Sequence, residues 1–150
     1  MGERTVTGRE IVDAARVYLG VRWGHQGRAI GERHRRIDCV GLLYCTMRDL
    51  GVKVLDRTNY LPVPDGSKLI DEMRTQLVID HDRELRMGRI VAFDDVGEPS
   101  PCHVGILTDH PSGHGVIHAS LRHQKVVEHR LDEFWRGKIR GVFRIPEEVA

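Results

Sequence analysis

The chain has 150 residues, a formal net charge of +1, 40% hydrophobic residues and 30% charged residues. This length and composition predict one globular domain spanning residues 1–150 and exclude a disordered chain. A charge this close to neutral argues against nucleic-acid and membrane-surface binding, and no apolar run in the sequence is long enough for a membrane span.

Cysteine usage and the first residues predict the compartment. The three cysteines, at positions 39, 45 and 102, lack Cys-x-x-Cys spacing and are an odd number for a disulfide framework. Residues 1–7 lack the apolar core of a signal peptide. We therefore expect synthesis in the reducing cytoplasm without a signal peptide, so that action outside the cell requires lysis or a carrier particle.

The first half of the chain has helical periodicity. Thr7 and Glu10 form a capping-box pattern that predicts the start of a helix. A second helix is predicted over about residues 39–50, and a third is predicted to be capped by Ser67. Two glycine-rich, proline-rich or charged segments predict long loops: 21–36 and 55–65.

The second half of the chain has the short apolar runs of strands. Five strands are predicted: 90–93, 103–108, 115–120, 125–129 and 139–145. The turn-rich segment 109–114 suits a hairpin, and a helical turn is predicted over 131–136. Helices followed by strands indicate an α+β fold, with N-terminal helices packed on a five- to six-stranded antiparallel sheet.

Cys39 is a candidate nucleophile because it begins the second predicted helix. Asp38 precedes it and can cap the first N–H groups of that helix. The positive end of the helix dipole favours the thiolate, which is the nucleophilic form of cysteine. The free N–H of Cys39 is a natural donor to an oxyanion. The alternative is a buried, inert cysteine on a core helix.

Two of the nine histidines lie on strands that the predicted hairpin would join. If His103 and His118 share a face of the sheet, their imidazoles can meet beside a helix start that carries Cys39. In that arrangement Cys39 is the nucleophile, His103 the general base and then acid, and His118 the group that orients the His103 ring. The alternative for each histidine is a buried strand residue bonded to the backbone.

A zinc site and plain core packing compete with this interpretation. Candidate zinc ligands are Cys102, His103, His114 and His118. Adjacent residues of a strand point to opposite faces, which argues against Cys102 and His103 sharing one ion. Cys45 and Cys102 are predicted to be packing residues, and Phe134 with Trp135 is predicted to anchor the core.

Four segments in order carry a resemblance to a known family: 38–42 (DCVGL), 88–93 (GRIVAF), 103–107 (HVGIL) and 117–120 (IHAS). Together they resemble the ordered signature of the NlpC/P60 cysteine peptidases. Residues 20–27 (GVRWGHQG) are similar to the family's Gly-x-Pro-Tyr loop. The resemblance extends from about Ile11 to Ile145, and it is greatest to tail-associated peptidases of phages, prophages and gene transfer agents.

The resemblance implies a papain-like α+β fold and hydrolysis of peptide bonds in peptidoglycan stems. The bond it implies joins γ-linked D-glutamate to a diamino acid. It assigns Cys39 as nucleophile, His103 as base and His118 as the polar third member, with no metal or other cofactor. It also implies tail or tail-hub proteins as partners and action at the cell wall from a virion.

Three positions depart from the family pattern. Val40 replaces a frequent serine, Trp23 stands where tyrosine is common, and Arg89 replaces a common aspartate. The indole N–H of Trp23 can donate a hydrogen bond, as a phenol would. We therefore regard Asp38, Trp23 and Val40 as the candidate substrate-binding or oxyanion residues.

Two other functions fit the same sequence. Fold and triad do not fix the acyl donor, so a thiol acyltransferase or esterase is one alternative. A structural tail-hub subunit with a dormant site is the other.

Overall fold

The computed structural model describes residues 5–29, 35–53, 66–98 and 102–149. Within them lie four helices: α1 (Gly8–Arg16), α2 (Cys39–Asp49), α3 (Gly66–Gln76) and α4 (Glu133–Gly137). The strands are β1 (Val6–Thr7), β2 (Arg22–Trp23), β3 (Arg36–Ile37), β4 (Val78–Ile79), β5 (Ile90–Asp94), β6 (Cys102–Thr108), β7 (Gly115–Ser120), β8 (Lys125–Arg130), β9 (Ile139–Arg144) and β10 (Glu148–Val149). The predicted loop at 55–65 lies outside the described residues.

The five predicted strands correspond to β5 to β9, and each pairs with its sheet neighbours in antiparallel fashion. β6 and β7 form the predicted hairpin, with Ile106 opposite Ile117. Composition explains this success, because both strands are short apolar runs that are buried on both faces and bounded by turn residues. The prediction of a hairpin across 109–114 is confirmed.

The prediction of a five- to six-stranded antiparallel sheet was wrong. The sheet has eight strands in the order β3-β2-β8-β7-β6-β5-β9-β4, and it is mixed because β2 and β3 run parallel. β1 and β10 form a separate parallel pair. The additional strands β2, β3 and β4 have two residues each, which is too short for a period-two pattern to be visible in the sequence.

Both N-terminal helices begin with the predicted caps. The Thr7 side chain accepts a hydrogen bond from the Glu10 N–H, and the Glu10 carboxylate accepts one from the Thr7 N–H, so the capping box is complete. α2 begins at Cys39 with Asp38 as its cap. The α2 helix packs against β6 and β7, which brings the start of the helix to the central strands of the sheet.

The main core lies between the helices and one face of the sheet. Its buried members from α1, α2 and the strands include Ile11, Ala15, Leu42, Leu43, Ile90, Ala92, Cys102, Val104, Ile106, Ile117 and Ala119. A second, smaller cluster contains Val91, Phe93, Val96, Leu107, Val116 and Leu131, with Trp135 packed against it. Because side chains alternate along a strand, the two clusters lie on opposite faces of β5, β6 and β7.

The predicted core anchor on α4 is only half present. Trp135 packs edge-to-face on Phe93 with ring centroids 5.0 Å apart, but Phe134 is 54% exposed. α4 has five residues, and neighbouring helical residues point about 100° apart, so one turn presents only one of the two rings to the sheet. The assignment of Phe134 to the core was therefore wrong. No helix among the described residues has the length and apolar character that crossing a membrane requires.

Candidate active site

Asp38 fixes the backbone that leads into Cys39. Its side chain is buried, and its Oδ1 accepts the N–H of Gly41 at 2.7 Å while its Oδ2 accepts the N–H of Gln26 at 2.8 Å. The guanidinium of Arg28, also buried, lies 3.3 Å from Oδ1. Asp38 thereby joins the 24–28 loop to the first turn of α2. A contact of Asp38 with substrate stays a prediction.

The glycine of the 38–42 segment has a steric reason. A Cβ at Gly41 would lie 2.1 Å from the carbonyl oxygen of Gly27. The loop can therefore lie against the first turn of α2 only when position 41 has no side chain.

The thiol of Cys45, one turn further along α2, donates to the carbonyl of Arg28 at 3.2 Å. Cys45 is fully buried, as predicted.

The thiol of Cys39 is neutral in the resting protein. Burial, and after it the charge of Asp38, raises its pKa to about 12, although the N–H groups of Val40 and Cys39 act in the opposite direction. The expected effect of the helix start is thus present, but desolvation outweighs it. The helix start therefore favours the thiolate, as expected, but burial keeps the thiol protonated in the resting protein.

His103 and His118 meet as the hairpin predicted. His103 Nε2 lies 2.7 Å from His118 Nδ1, and the two rings are nearly perpendicular, with an interplanar angle of 87°. Only 4% of His103 and 1% of His118 is exposed. Burial lowers the pKa of His103 to about 4 and the pKa of His118 well below its ordinary value. Both rings are therefore neutral at neutral pH.

Gly105, within the 103–107 segment, makes room for this pair. A Cβ at Gly105 would lie 2.6 Å from Cγ2 of Val116 and 3.4 Å from Cβ of His118. A larger residue would therefore press on the strand that carries His118. The glycine of this segment, like Gly41, is explained by close packing at the site rather than by an unusual backbone angle.

A third imidazole, which the sequence analysis did not single out, extends the pair. His129 Nε2 lies 2.9 Å from His118 Nε2, and His129 Nδ1 lies 2.8 Å from the carbonyl oxygen of Arg130. β7 and β8 pair with Val116 opposite His129, so residues 116, 118 and 129 share one face. The sequence signal that could have found His129 is its place at the end of the predicted strand 125–129, but the face it occupies depends on the β7–β8 register.

Trp135 covers all three imidazoles. Its ring centroid is 6.5 Å from that of His103, 5.0 Å from that of His118 and 4.7 Å from that of His129. The indole therefore packs against the whole line of rings. Trp135, predicted only as a core residue, is therefore also part of the site.

The structure brings Cys39 to the start of β6, where His103 lies. Cys39 packs against the main core, and Cys102 is near enough to raise the pKa of its thiol. His103 follows Cys102 but pairs opposite Phe93, which belongs to the second cluster. Within the described ranges no hydrogen bond joins Cys39 Sγ to either imidazole of the predicted triad.

Trp23 and Val40 lie near the nucleophile. Trp23 pairs with Ile37, two residues before Cys39, and both Trp23 and Val40 are partly buried against the main core. Their roles toward substrate stay predictions. Arg89, the third departure from the family pattern, lies away from this group: it is buried and pairs with Glu148 at 2.5 Å and Asp80 at 3.5 Å.

The described histidines do not form a metal cage. Across the described ranges, no three His, Cys, Asp or Glu side chains are arranged to hold a metal ion. His118 uses both ring nitrogens in hydrogen bonds to neighbouring imidazoles, and a nitrogen engaged in this way has no lone pair free for a metal.

No family model and no curated protein matches this chain. Solved structures do match. An NlpC/P60 family protein from Bacillus cereus has a TM-score of 0.62 at 15% identity, over 94% of this chain and 41% of that chain. The peptidoglycan hydrolase RipB from Mycobacterium tuberculosis has a TM-score of 0.60 at 16% identity, over 92% of this chain and 64% of that chain. The NlpC/P60 domain of the peptidoglycan hydrolase SagA has a TM-score of 0.58 at 20% identity, over 93% of this chain and 100% of that domain.

These likenesses establish the fold. The chain has the papain-like NlpC/P60 fold that the four sequence segments predicted, with an eight-stranded mixed sheet. Among its structural neighbours are proteins described as peptidoglycan hydrolases and an N-acetylmuramoyl-L-alanine amidase from Bacteroides uniformis.

Proposed function

We propose that this protein is a cysteine peptidase or amidase that hydrolyses peptide bonds of peptidoglycan. The observation that carries the proposal is the 2.7 Å hydrogen bond between His103 and His118 on β6 and β7, the two strands against which the helix begun by Cys39 packs. The neighbours that share this fold include peptidoglycan hydrolases. A nucleophile, a base and a group that orients the base are the three parts that such a reaction needs.

The reaction starts from a neutral thiol and a neutral imidazole. As Cys39 Sγ attacks the carbonyl carbon, the thiol proton passes to the free nitrogen of His103, and a tetrahedral oxyanion forms. The N–H of Cys39 donates to this oxyanion. The C–N bond then breaks, His103 gives its proton to the leaving amine, and the acyl group remains on Cys39 as a thioester. His103 next removes a proton from water as the water oxygen attacks the thioester carbonyl. The C–S bond then breaks, the acid is released, and the sulfur takes the proton back from His103 to restore the thiol.

This mechanism requires the thiol and the His103 ring to come together when substrate binds. Catalytic hydrogen bonds are often long or poorly aligned in substrate-free sites and shorten in the substrate complex. Cys39 packs with Cys102 on the main-core face of the sheet, whereas His103 lies on the face of the second cluster, so the two side chains must move to meet.

For the substrate we propose the bond between γ-linked D-glutamate and a diamino acid of the stem peptide. We further propose that the chain acts at the cell wall as part of a phage-like tail. The bond and the tail association rest on the sequence resemblance alone.

The test is hydrolysis of purified peptidoglycan and defined stem peptides, followed by the release of free amino groups. We expect the wild-type chain to release them and the Cys39→Ser variant to be at least a hundredfold slower, the scale expected when a catalytic nucleophile or its base is lost. Cys45→Ser, on the same helix but in the core, is the matched control and keeps its activity when folded. Equal rates for wild type and Cys39→Ser would refute the proposal, and inhibition by a chelator but not by thiol alkylation would favour zinc.

A dormant site in a structural tail-hub subunit is the alternative that two observations favour. The raised thiol pKa and the missing hydrogen bond from Cys39 to the imidazoles are what an inactive site would show. Particles carrying Cys39→Ser distinguish the two functions. If they assemble and cross a wall normally, the role is structural; if they assemble but stop at the wall, it is catalytic. Thioester and ester substrates in the same assay test the acyltransferase or esterase alternative.

A further inference from the structure

Three imidazoles form one continuous line of hydrogen bonds that ends on a backbone carbonyl. The line runs from His103 Nε2 to His118 Nδ1 at 2.7 Å, and from His118 Nε2 to His129 Nε2 at 2.9 Å. The last hydrogen bond of the line joins His129 Nδ1 to the carbonyl oxygen of Arg130, at 2.8 Å. The catalytic scheme above uses the first two rings and leaves His129 without a role.

The terminal carbonyl determines where every proton in this line lies. A carbonyl oxygen only accepts, so His129 Nδ1 carries hydrogen and, in the neutral ring, His129 Nε2 is an acceptor. His118 Nε2 must then carry hydrogen and donate to it, which leaves His118 Nδ1 as an acceptor. His103 Nε2 must in turn carry hydrogen, which leaves the lone pair of His103 on Nδ1.

We propose that His129 is a positioning residue that acts through His118 to hold His103 in the tautomer whose Nδ1 is the base. The inference rests on the proposed peptidase function for its consequence, but the tautomer itself is a property of the folded chain. His129 does not touch the reacting atoms. Its contribution is to make one of two otherwise similar proton arrangements the stable one.

Removal of the His129 acceptor makes the opposite arrangement available. His118 can then carry its hydrogen on Nδ1 and donate it to His103 Nε2, which forces the His103 hydrogen onto Nδ1 and blocks the base. With His129 in place, that arrangement would set the lone pairs of His118 Nε2 and His129 Nε2 against each other. Trp135 packs on both rings of this contact, 4.7 Å from the His129 ring and 5.0 Å from the His118 ring.

The line also helps His103 to carry charge during the reaction. When His103 accepts the thiol proton on Nδ1, its Nε2–H becomes a stronger donor to His118, and His118 in turn becomes a stronger donor to His129. Hydrogen bonds in such series strengthen one another. All three rings are part of this effect, whereas only His103 exchanges a proton with substrate.

The test combines ring nitrogen NMR with kinetics on the full chain. In wild type we expect His103 with hydrogen on Nε2 and a bare Nδ1, read from the nitrogen shifts and the long-range couplings to the ring protons. In His129→Leu we expect a mixture of His103 tautomers and a loss of kcat of about tenfold, the lower end for removing an outer partner of a functional imidazole. KM should change little because His129 does not touch substrate.

Two variants serve as comparisons. His129→Gln offers a side-chain carbonyl oxygen to His118 Nε2 and should restore both the tautomer and most of kcat. His81→Leu removes an exposed histidine outside the line and should change neither. A wild-type His103 with hydrogen on Nδ1 would overturn the proposal, as would His129→Leu with the wild-type tautomer and rate.

These outcomes separate the inference from the proposed function. If the chain has no hydrolase activity but shows the expected tautomers, the peptidase function is refuted and the role of His129 is supported. If the chain is an active peptidase and His129→Leu leaves the His103 tautomer unchanged, the peptidase function is supported and the role of His129 is refuted. If His129→Leu does not fold, the His103 tautomer in wild type and in His129→Gln still tests the role of His129.

Discussion

Gly41 lies so close to Gly27 that a single added carbon would lie 2.1 Å from the Gly27 carbonyl oxygen. This contact holds the 24–28 loop against the first turn of α2, where Cys39 begins the helix. The spacing of Asp38 and Gly41 around Cys39 is therefore a packing requirement of the helix start as well as a sequence signature.

Gly41→Ala tests that contact. We expect the free energy of unfolding to fall by about 1–3 kcal/mol, the usual cost of overpacking, and hydrolytic activity to be lost because the loop moves away from Cys39. Gly137→Ala is the control, because a Cβ there meets nothing within 4 Å. Urea denaturation of both variants is the measurement. An unchanged Gly41→Ala midpoint would show that the loop yields without cost.

Asp38→Asn tests how far the charge of Asp38 raises the pKa of the Cys39 thiol. Asparagine still caps a helix, but the negative charge that raises the pKa of Cys39 is removed. We expect the alkylation rate of Cys39 to rise at pH 8 and its inflection to move to lower pH. The buried Arg28 then loses its ion-pair partner, at a stability cost of about 3–5 kcal/mol.

The Asp38→Asn experiment has a control variant and an outcome that would contradict it. Asp13→Asn, which alters an exposed carboxylate on α1, should leave the alkylation profile of Cys39 unchanged. A Cys39 pKa that stays the same or rises in Asp38→Asn would mean that the Asp38 charge does not reach the sulfur.

The sequence predicted those parts of the fold in which one local pattern repeats. β5 to β9 are runs of five to seven residues in which apolar side chains are frequent, and the capping box at Thr7 is a short-range signature. The additional strands β2, β3 and β4 are two residues long, and tertiary pairing rather than propensity creates them. The helix start lowers the pKa of Cys39, as its position in the sequence indicates, but the larger effect of burial depends on packing that no local pattern shows.

The histidines show the same division between local and distant information. His103 and His118 were found because each belongs to a segment of the family signature and one hairpin joins them. His129 belongs to no such segment, and its position depends on the β7–β8 register, in which a slip of one residue would turn it to the other face.

The two buried imidazoles make stability depend on pH. The pKa of His103 is lowered by burial to about 4 in the folded chain, against about 6.5 when unfolded. As pH falls below 6.5 the unfolded chain takes up protons first, so the free energy of unfolding falls, by up to about 1.4 kcal/mol per pH unit for each such group. The full contribution is present above pH 6.5 and is lost as pH approaches 4.

Denaturation curves at pH 7.5, 6.5 and 5.5 measure this slope before most carboxylates titrate. His103→Gln should flatten the slope, whereas His81→Gln, at an exposed position, should keep it. A wild-type stability that is constant or rises between pH 7.5 and 5.5 would contradict the neutral, buried state of the rings.

Trp135 and Phe134 are adjacent residues that should respond differently. Trp135→Ala removes the ring that packs on Phe93 and covers the imidazoles, so we expect a loss of about 3–5 kcal/mol and a lower kcat. Phe134→Ala alters a ring that is 54% exposed and should cost less than about 1 kcal/mol. Urea midpoints and hydrolysis rates of the two variants provide the comparison. Equal losses would contradict the packing described for α4.

The most direct test of a nucleophilic Cys39 is to capture the acyl group on its sulfur. Wild-type chain mixed with a stem peptide and quenched with acid within one turnover should gain the mass of the acyl fragment, and peptide mapping should place it on Cys39. His103→Ala should accumulate less of it and Cys39→Ala none. Amine release without any adduct on Cys39, or an adduct that persists in Cys39→Ala, would contradict the account.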